Sequence, residues 1–243
     1  GVLGDADGQF ERQGDDAGAQ ADPGGAGGEM GEEDERGGDA ALALARMGGK
    51  ENQAALLSML HALDFAQLDA AQQLALVRVY QISIARNGLP EGDSLTKTLA
   101  RLDALFPAKT NDLNRELSRT LAALGSSEVI AKTIQLMRTA KDDPVSWLSV
   151  ERMARNDRYG PNFLRTGDAR HNQQQIAYAY GLRFAKNGWT PELRREFFAW
   201  FAKTGPWLGG NQFRGFIDTI RNDALASVPD AEEEKQLALL RKK

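Results

Sequence analysis

Apolar side chains recur at every third or fourth residue along most of the chain, from about residue 39 onward. This spacing places an apolar stripe on one face of an α-helix, because the helix turns once every 3.6 residues or so. The clearest stripes are Leu95, Leu99, Leu102, Leu105 and Phe106, and then Leu113, Leu117, Leu121 and Leu124. No segment alternates apolar and polar residues in the way a half-buried strand requires. The pattern therefore predicts an all-α fold with essentially no sheet.

Capping and stop signals divide this pattern into separate helices. Asp69 and Gln72 have the spacing of a capping box, and Asn87-Gly88 predicts the end of the helix that follows. Thr190-Pro191 predicts another start, because proline is tolerated at the first helical position. Further starts are expected at Asp93 or Ser94, Asn111, Ser126 or Ser127, Asp143-Pro144, Asn211, and Asp230 with Glu233. The side chains expected to point inward include Val129, Ile130, Thr133, Ile134 and Met137, and later Phe213, Phe216, Ile217, Ile220, Ala224 and Leu225.

Short connections between these helices favour antiparallel neighbours. The segments 111–124 and 126–140, for example, are separated only by Gly125 and predict a helical hairpin. Each such hairpin leaves an apolar face that a stacked neighbour must cover, as in HEAT-like repeats. No clean repeat of fixed length is present. We therefore predict an irregular α-solenoid of HEAT-like antiparallel hairpins over residues 41–243, with a compact helical bundle as the alternative.

The charge of the chain is divided unevenly between residues 1–40 and the remainder. The first 40 residues contain 12 glycines, 12 acidic residues and two arginines, a net charge of −10, whereas the remainder carries +6. The large apolar residues of this first segment are only Val2, Leu3, Phe10 and Met30. So little apolar surface does not offset the entropy of ordering the backbone. We predict a disordered or loosely ordered acidic, glycine-rich tail or linker; the alternative is an acidic arm that folds back onto the basic body.

Candidate catalytic chemistry is scarce. The chain has no cysteine, which excludes disulfides, thiolate metal sites and covalent haem attachment within these residues. Of its two histidines, His61 lies beside Leu60 in a predicted helix and is interpreted as structural. His171 begins a polar helix, and as a general base it would need an orienting acid and a nucleophile; Asp168 is close in sequence. Phosphate-loop, zinc-hydrolase and serine-hydrolase motifs are absent, so we predict no catalytic residue, metal or cofactor.

Two groups of residues are candidates for contacts with a partner or ligand. Five arginines fall within nineteen residues, interleaved with Tyr159 and Phe163: Arg152, Arg155, Arg158, Arg165 and Arg170. Such a cluster suits phosphate or a docking partner, but Glu151, Asp157 and Asp168 dilute it and no nucleic-acid recognition module matches. We therefore favour a solvated helix face or a surface for a protein partner, not a nucleic-acid site.

Aromatic residues form the second group, with eight of them within residues 189–216. They are Trp189, Phe197, Phe198, Trp200, Phe201, Trp207, Phe213 and Phe216. Aromatic residues on successive helices are typical of a packed core, and an aromatic ligand cradle is the functional alternative. Trp189 and Trp207 lie in predicted loops, so we take these two as candidate partner or ligand contacts.

Several sequence blocks are familiar in their order. The longest contains Asn187-Gly188-Trp189-Thr190-Pro191-Glu192-Leu193, and others lie at 76–80, 85–90, 102–108, 113–117, 129–133, 209–213 and 220–224. Together they resemble, over residues 41–228, the HEAT-like helical-repeat region of large multidomain proteins from planctomycete-type bacteria. In those proteins this region accompanies a dehydrogenase-like β-propeller or a c-type cytochrome domain. The resemblance implies an extracytoplasmic, periplasmic setting beside a redox domain.

Two features depart from that family. The haem-binding Cys-x-x-Cys-His is absent, so redox activity does not carry over, and the acidic start is not a family feature. We predict a non-catalytic scaffold that contacts another protein or a flanking domain of the same parent chain. Because the sequence starts Gly1-Val2, we also expect it to derive from a longer protein. The alternatives are a small-molecule or carbohydrate-binding domain that uses the aromatic residues of 189–216, and an enzyme if His171 lies beside a buried carboxylate. No apolar run approaches the roughly 20 residues of a membrane span, so no membrane insertion is expected.

Overall fold

The computed structural model describes residues 45–46, 48–143, 171–209 and 211–229. Within these ranges it contains eight α-helices and no strand, which confirms the all-α prediction. The helices are α1 (Gln53–Ala62), α2 (Ala70–Asn87), α3 (Gly92–Leu105), α4 (Asn111–Leu124), α5 (Val129–Thr139), α6 (Gln173–Leu182), α7 (Pro191–Lys203) and α8 (Phe213–Ala226). Short 3-10 turns at Lys50–Asn52 and Phe65–Gln67 flank α1.

The two strongest start signals are confirmed. The carboxylate of Asp69 accepts a hydrogen bond from the backbone N–H of Gln72 at 2.8 Å, and the Gln72 side chain accepts from the Asp69 N–H at 2.9 Å. This is the reciprocal capping box expected from the sequence. At α7, the hydroxyl of Thr190 accepts from the N–H of Leu193 at 3.3 Å, and Pro191 is the first helical residue.

Other starts are displaced by one or two residues. Helix α3 begins at Gly92 without a side-chain cap, α5 follows Glu128, and α8 follows Gln212. The cap of α4 is Thr110. The expected cap there, Asn111, instead donates from its amide to the carbonyl of Lys141 at 3.1 Å and to Asp143 at 2.7 Å. A tertiary contact thus takes the side chain that the sequence assigned to the cap. The starts predicted at Asp143-Pro144 and at Asp230 with Glu233 involve residues outside the described ranges.

Helix contacts follow a regular order along the chain. Helices that are adjacent in this numbering touch as α1 with α2, α3 with α4, α4 with α5, α5 with α6, and α7 with α8. The even-numbered helices also touch in series, α2 with α4, α4 with α6, and α6 with α8, whereas among the odd-numbered helices α1 touches α3 and α5 touches α7. A single apolar core runs through all of these contacts.

The core is built from the predicted apolar stripes. All five inward residues of α5 are buried: Val129, Ile130, Thr133, Ile134 and Met137. On α8, Ile217, Ile220 and Ala224 are buried as expected. Phe216 is a correction, because its side chain is 43% exposed. It lies off the buried stripe of α8 and turns instead toward Tyr180 of α6, with ring centroids 5.8 Å apart.

Each junction from an even-numbered to the next odd-numbered helix contains a glycine with positive φ. The three are Gly88 (84°), Gly125 (80°) and Gly188 (87°), a region of φ that side chains with a Cβ avoid. The last two junctions touch each other. The Asn187 amide donates to the carbonyl of Gly125 at 3.0 Å, and a Cβ added to Gly188 would lie 2.2 Å from the carbonyl oxygen of Ser127.

Candidate functional site

The aromatic residues of 189–216 pack mainly against one another. Phe197 meets the edge of Phe201 at 5.4 Å between ring centroids, and Trp200 meets the edge of Trp207 at 5.8 Å. Phe197, Phe198, Trp200 and Phe201 are all buried. Edge-to-face contacts at these distances are favourable for aromatic pairs, and they are typical of a core. For these rings the structural interpretation accounts for the cluster.

Trp189 and Trp207 are half-buried and turned inward. The indole N–H of Trp189 donates to the carbonyl of Ala185 at 2.8 Å, and its ring packs at 5.3 Å from Phe197. Trp207 contacts Trp200. Because the indole N–H of Trp189 is already bonded and the ring of Trp207 packs against Trp200, the geometry does not support a role for either as a partner or ligand contact, and that role stays a prediction. The other candidate contacts, Arg152, Arg155, Arg165 and Arg170, lie outside the described residues, as does Arg158.

A groove of about 520 Å³ lies across helices α4, α6 and α8. Residues from one face of α6, including Ile176, Ala177 and Tyr180, form its floor. Helix α4 supplies one wall and α8, with His171 just before α6, supplies the other. The two walls differ in chemistry, so the groove is polar along one side and aromatic along the other.

The polar wall consists of Arg115, Glu116 and Arg119. Arg115 donates to the Gln174 side chain at 2.7 Å and pairs with the Asp112 carboxylate. Glu116 accepts from the Gln81 amide at 2.6 Å. Arg119 is exposed, and its guanidinium makes no hydrogen bond or ion pair with any residue in the described part of the chain. Among the described residues, the wall therefore carries one cation, Arg115, that is already bonded and one, Arg119, that has no partner.

The aromatic wall consists of Phe213 and Phe216. Phe213 lies against the imidazole of His171, with ring centroids 4.9 Å apart. Phe216 contacts Tyr180, whose ring is covered on one face by the guanidinium of Arg183 at 3.4 Å. Since Phe216 keeps 43% of its surface exposed, this wall offers aromatic surface to a ligand.

His171 lines the groove without a carboxylate partner among the described residues. Its Nδ1 lies 3.0 Å from the carbonyl oxygen of Leu208. A carbonyl can only accept, so Nδ1 carries the hydrogen and Nε2 is the acceptor in the neutral ring. The acid that the sequence suggested beside it, Asp168, lies outside the described ranges. Within the described residues, the geometry holds the ring in place and shows no carboxylate beside it, so the enzyme alternative stays a prediction.

His61 belongs to a polar cluster between α1 and α3. Its Nε2 lies 3.1 Å from the hydroxyl of Thr98, which itself donates to the carbonyl of Ser94 at 2.8 Å. Burial lowers the pKa of His61, and the nearby charges of Arg101 and Lys97 lower it further. A neutral, hydrogen-bonded ring at a helix contact supports the interpretation of His61 as structural.

Arg101 completes this cluster. It donates to the carbonyls of His61, at 3.0 Å, and Leu63, both at the end of α1. The buried Tyr80 stacks on His61 at 6.1 Å, and burial raises the pKa of its phenol to about 12. Through these two carbonyls, Arg101 links the end of α1 to α3. We therefore interpret Arg101 and Tyr80 as structural residues.

The described residues contain no group of three or more histidine or carboxylate side chains placed to hold a metal ion. None of their helices has both the length and the apolar character needed to cross a membrane.

Comparison of the chain with protein-family models, with curated proteins and with solved structures gives no match. Of the groove residues, sequence reasoning had named His171, Phe213 and Phe216, but it had not selected the polar wall of Arg115, Glu116 and Arg119. Helical periodicity could have identified Arg119 as an exposed residue, because it lies on the face of α4 opposite Leu113, Leu117 and Leu121. The proximity of Arg119 to Phe216 has no such signal, since it depends on how α4, α6 and α8 pack.

Proposed function

We propose that the protein is a non-catalytic scaffold, an irregular α-solenoid of HEAT-like hairpins that binds a segment of another protein or of a flanking domain in the α4–α6–α8 groove. The observation that carries this proposal is the serial contact of α2, α4, α6 and α8. In a solenoid each hairpin covers the apolar face of the one before it, which produces this order of contacts. A compact bundle, the alternative fold, has no reason to keep even-numbered helices adjacent in sequence order.

Contacts between successive junctions support the stacking. The Asn187 amide reaches the carbonyl of Gly125, and Gly188 lies directly against Ser127. The α4–α5 turn and the α6–α7 turn are therefore neighbours, as equivalent turns of stacked repeats would be. The repeats are degenerate in sequence, since α4–α5 uses Gly-Ser-Ser where α6–α7 uses Asn-Gly.

The chemistry of the groove favours an extended, acidic segment with at least one apolar side chain. Arg119 is a guanidinium without a partner in the described chain, and guanidinium groups bind carboxylates through charge-assisted hydrogen bonds. The exposed ring of Phe216 on the opposite wall offers apolar contact. The setting beside a redox domain, outside the cytoplasm, remains a proposal that depends on the family resemblance.

Peptide binding to the full chain tests this function. We expect a short fluorescein-labelled peptide with several carboxylates and one phenylalanine to raise its anisotropy on titration with the protein. The same peptide with lysines in place of its carboxylates should not bind. Arg119→Gln should weaken binding about tenfold, the loss of one charge-assisted hydrogen bond. Phe216→Ala should weaken it by a similar factor.

Matched control variants distinguish peptide binding in the groove from non-specific binding elsewhere on the surface. Arg86→Gln removes an exposed arginine at the end of α2 that also has no partner among the described residues. Phe184→Ala removes a ring that is 57% exposed and lies outside the groove lining. Both variants should bind like the parent. Equal loss in Phe184→Ala and Phe216→Ala would show non-specific apolar binding and would contradict the proposal.

A small-molecule or carbohydrate site is the second candidate. Phe213 and Phe216, both from the aromatic group 189–216, line the groove. Its volume of about 520 Å³ also falls in the range of small-ligand pockets. Calorimetric titration with a panel of mono- and disaccharides tests this candidate. Saturable binding that is lost in Phe216→Ala, with no binding of acidic peptides, would favour it over the scaffold.

A further inference from the structure

We propose that residues 1–40 of the same chain occupy the α4–α6–α8 groove, with the carboxylates of this acidic segment on Arg119 and the ring of Phe10 on the aromatic wall. The proposal rests on the proposed function and names the ligand and the regulation of that site. The segment would then act as an internal ligand that any external partner must displace.

Charge complementarity is the first argument. The segment contains 12 acidic residues and two arginines, whereas the rest of the chain carries +6. In the groove, Arg115 is already engaged by Asp112 and Gln174, but Arg119 has no partner among the described residues. A cation that has no partner in the described part of the chain and lies beside apolar surface is a favourable position for a carboxylate, because neighbouring apolar groups reduce screening by water.

The second argument concerns the apolar side of the groove. Phe10 is the one aromatic residue in the first 40, and Asp7 and Glu11 lie close to it in sequence. A segment with one ring between carboxylates matches a groove with an aromatic wall opposite an arginine. Phe216 of that wall and Tyr180 of the floor have ring centroids 5.8 Å apart, a spacing that allows edge or offset contact with a further ring.

The length of chain permits this arrangement. Phe10 lies 35 positions before Ala45, the first residue that the structure describes. Such a length can span up to about 115 Å at 3.3 Å per residue. Helices α2, α4 and α6 are consecutive neighbours, and packed helices lie roughly 8–10 Å apart. The groove is thus well within reach, and a tethered segment competes at an effective concentration that dilution of the protein does not lower.

The absence of cysteine makes a direct test possible. Gln13→Cys provides a unique site for a nitroxide spin label in the full chain. We expect the label to broaden the amide NMR signals of Arg119, Ala177 and Phe216 more than those of Glu192 and Arg195 on α7. Equal broadening of both sets, or none, would overturn the proposal.

Variants test which contacts hold the segment. Phe10→Ala and Arg119→Gln should each reduce the selective broadening at Ala177 by half or more, and high salt should reduce it as well. The matched variant Arg86→Gln should leave it unchanged. If Arg86→Gln reduces the broadening as much as Arg119→Gln does, the attraction is a diffuse charge effect and the groove is not the site.

The alternative occupants give different results. A mixture of spin-labelled, unenriched chain with unlabelled, ¹⁵N-enriched chain detects docking between copies. Broadening in this mixture equal to that within one chain would show that a second copy supplies the segment, which contradicts internal docking.

External binding separates the failure of this inference from the failure of the proposed function. Phe10→Ala should bind the acidic fluorescein-labelled peptide about tenfold more tightly than the parent, because the internal competitor is weakened. If the peptide binds equally to both chains and the label causes no selective broadening, the groove is a binding site but residues 1–40 are not its ligand. If the peptide binds neither chain, the proposed function itself fails.

Discussion

Two turns of the molecule share the pattern Ala, basic residue, Asn, Gly, but they have different neighbours. Ala85-Arg86-Asn87-Gly88 ends α2, and Ala185-Lys186-Asn187-Gly188 lies between α6 and α7. The two glycines have almost the same φ, 84° and 87°. Around Gly88 nothing lies within 4 Å of the position of an added Cβ, whereas at Gly188 the carbonyl oxygen of Ser127 would be 2.2 Å away.

The two turns are also held by different partners. The carbonyl of Gly88 accepts a hydrogen bond from the buried amide of Gln53 on α1 at 2.8 Å. The turn at 187–188 is held by its own Asn187, which donates to the carbonyl of Gly125. The comparison teaches that the local sequence sets the shape of the turn, and that the neighbouring helices determine whether the turn is a packing surface or an open one.

Substitution of the two glycines by alanine should give the largest difference. Gly88→Ala should cost about 2 kcal/mol, because backbone near φ 84° and ψ −178° is tolerated almost only by glycine. Gly188→Ala adds a clash with Ser127 and should cost about 4 kcal/mol, as overpacking typically adds 1–3. Urea denaturation followed by circular dichroism measures both. Equal losses would break the comparison.

Removal of the Gln53 side chain tests the attachment of the first turn. Gln53→Ala leaves the carbonyl of Gly88 without its side-chain donor and removes the amide from beside the Ser83 hydroxyl. We expect a loss of about 2 kcal/mol in the free energy of unfolding, because two hydrogen bonds are lost and one of them, to Ser83, is buried. The exposed Gln212→Ala serves as a control and should change stability by less than about 0.5 kcal/mol.

The paired asparagines should show a smaller contrast. Asn187→Ala removes the hydrogen bond to Gly125 and should cost about 1 kcal/mol. Asn87 makes no side-chain hydrogen bond to the described residues, so Asn87→Ala should fall within about 0.5 kcal/mol of the parent. Denaturation midpoints measured side by side give the contrast, and a larger loss for Asn87→Ala would reverse our assignment of the two turns.

The smallest expected effect is a dependence of stability on pH in the region of the first turn. Helix α1, which holds Gly88 through Gln53, also contacts α3 through His61, whose pKa is lowered by burial, then by Arg101 and Lys97. The unfolded chain therefore binds a proton at this residue at a higher pH than the folded chain does. The stabilisation is complete above the unfolded pKa of about 6.5 and declines as the pH falls through the lowered folded value.

The variant His61→Gln isolates this contribution, because glutamine can keep a hydrogen bond to Thr98 but does not titrate. The unfolding free energies of parent and variant are measured from pH 7.5 downward. Below about pH 6.5 the parent should lose stability relative to the variant. A difference that does not vary with pH would show that α1 and α3 are not linked through a titrating group.

Much of the fold was accessible from the sequence. The capping box at Asp69 and the start at Thr190-Pro191 are local signals, complete within four residues, and both were predicted correctly. The starts near Asn111 and Asn211 were misplaced, because several polar residues in a row can each serve as a cap. At Asn111 the competing partner is the distant carbonyl of Lys141, which no local pattern reveals.

The candidate site was far less accessible. Sequence reasoning selected Trp189 and Trp207 because they lie in loops, and the structure turns both toward the aromatic core. It assigned Phe216 to that core, and the structure exposes it beside Tyr180. Helical periodicity identifies a face only to within a residue or so, and Phe216 lies at the edge of the buried stripe.

Local sequence was enough to locate most of the described helices, their ends and their apolar faces, because each of these depends on residues within a few positions of one another. Which helix packs on which was fixed only in the folded chain. That packing made Gly188 a packed position while Gly88 stayed open, and it placed Arg119, which has no partner among the described residues, in one groove with the exposed Phe216. Hydrophobic burial accounts for this division because it is not directional: an apolar face must be covered, but the shapes of the other faces select its partner.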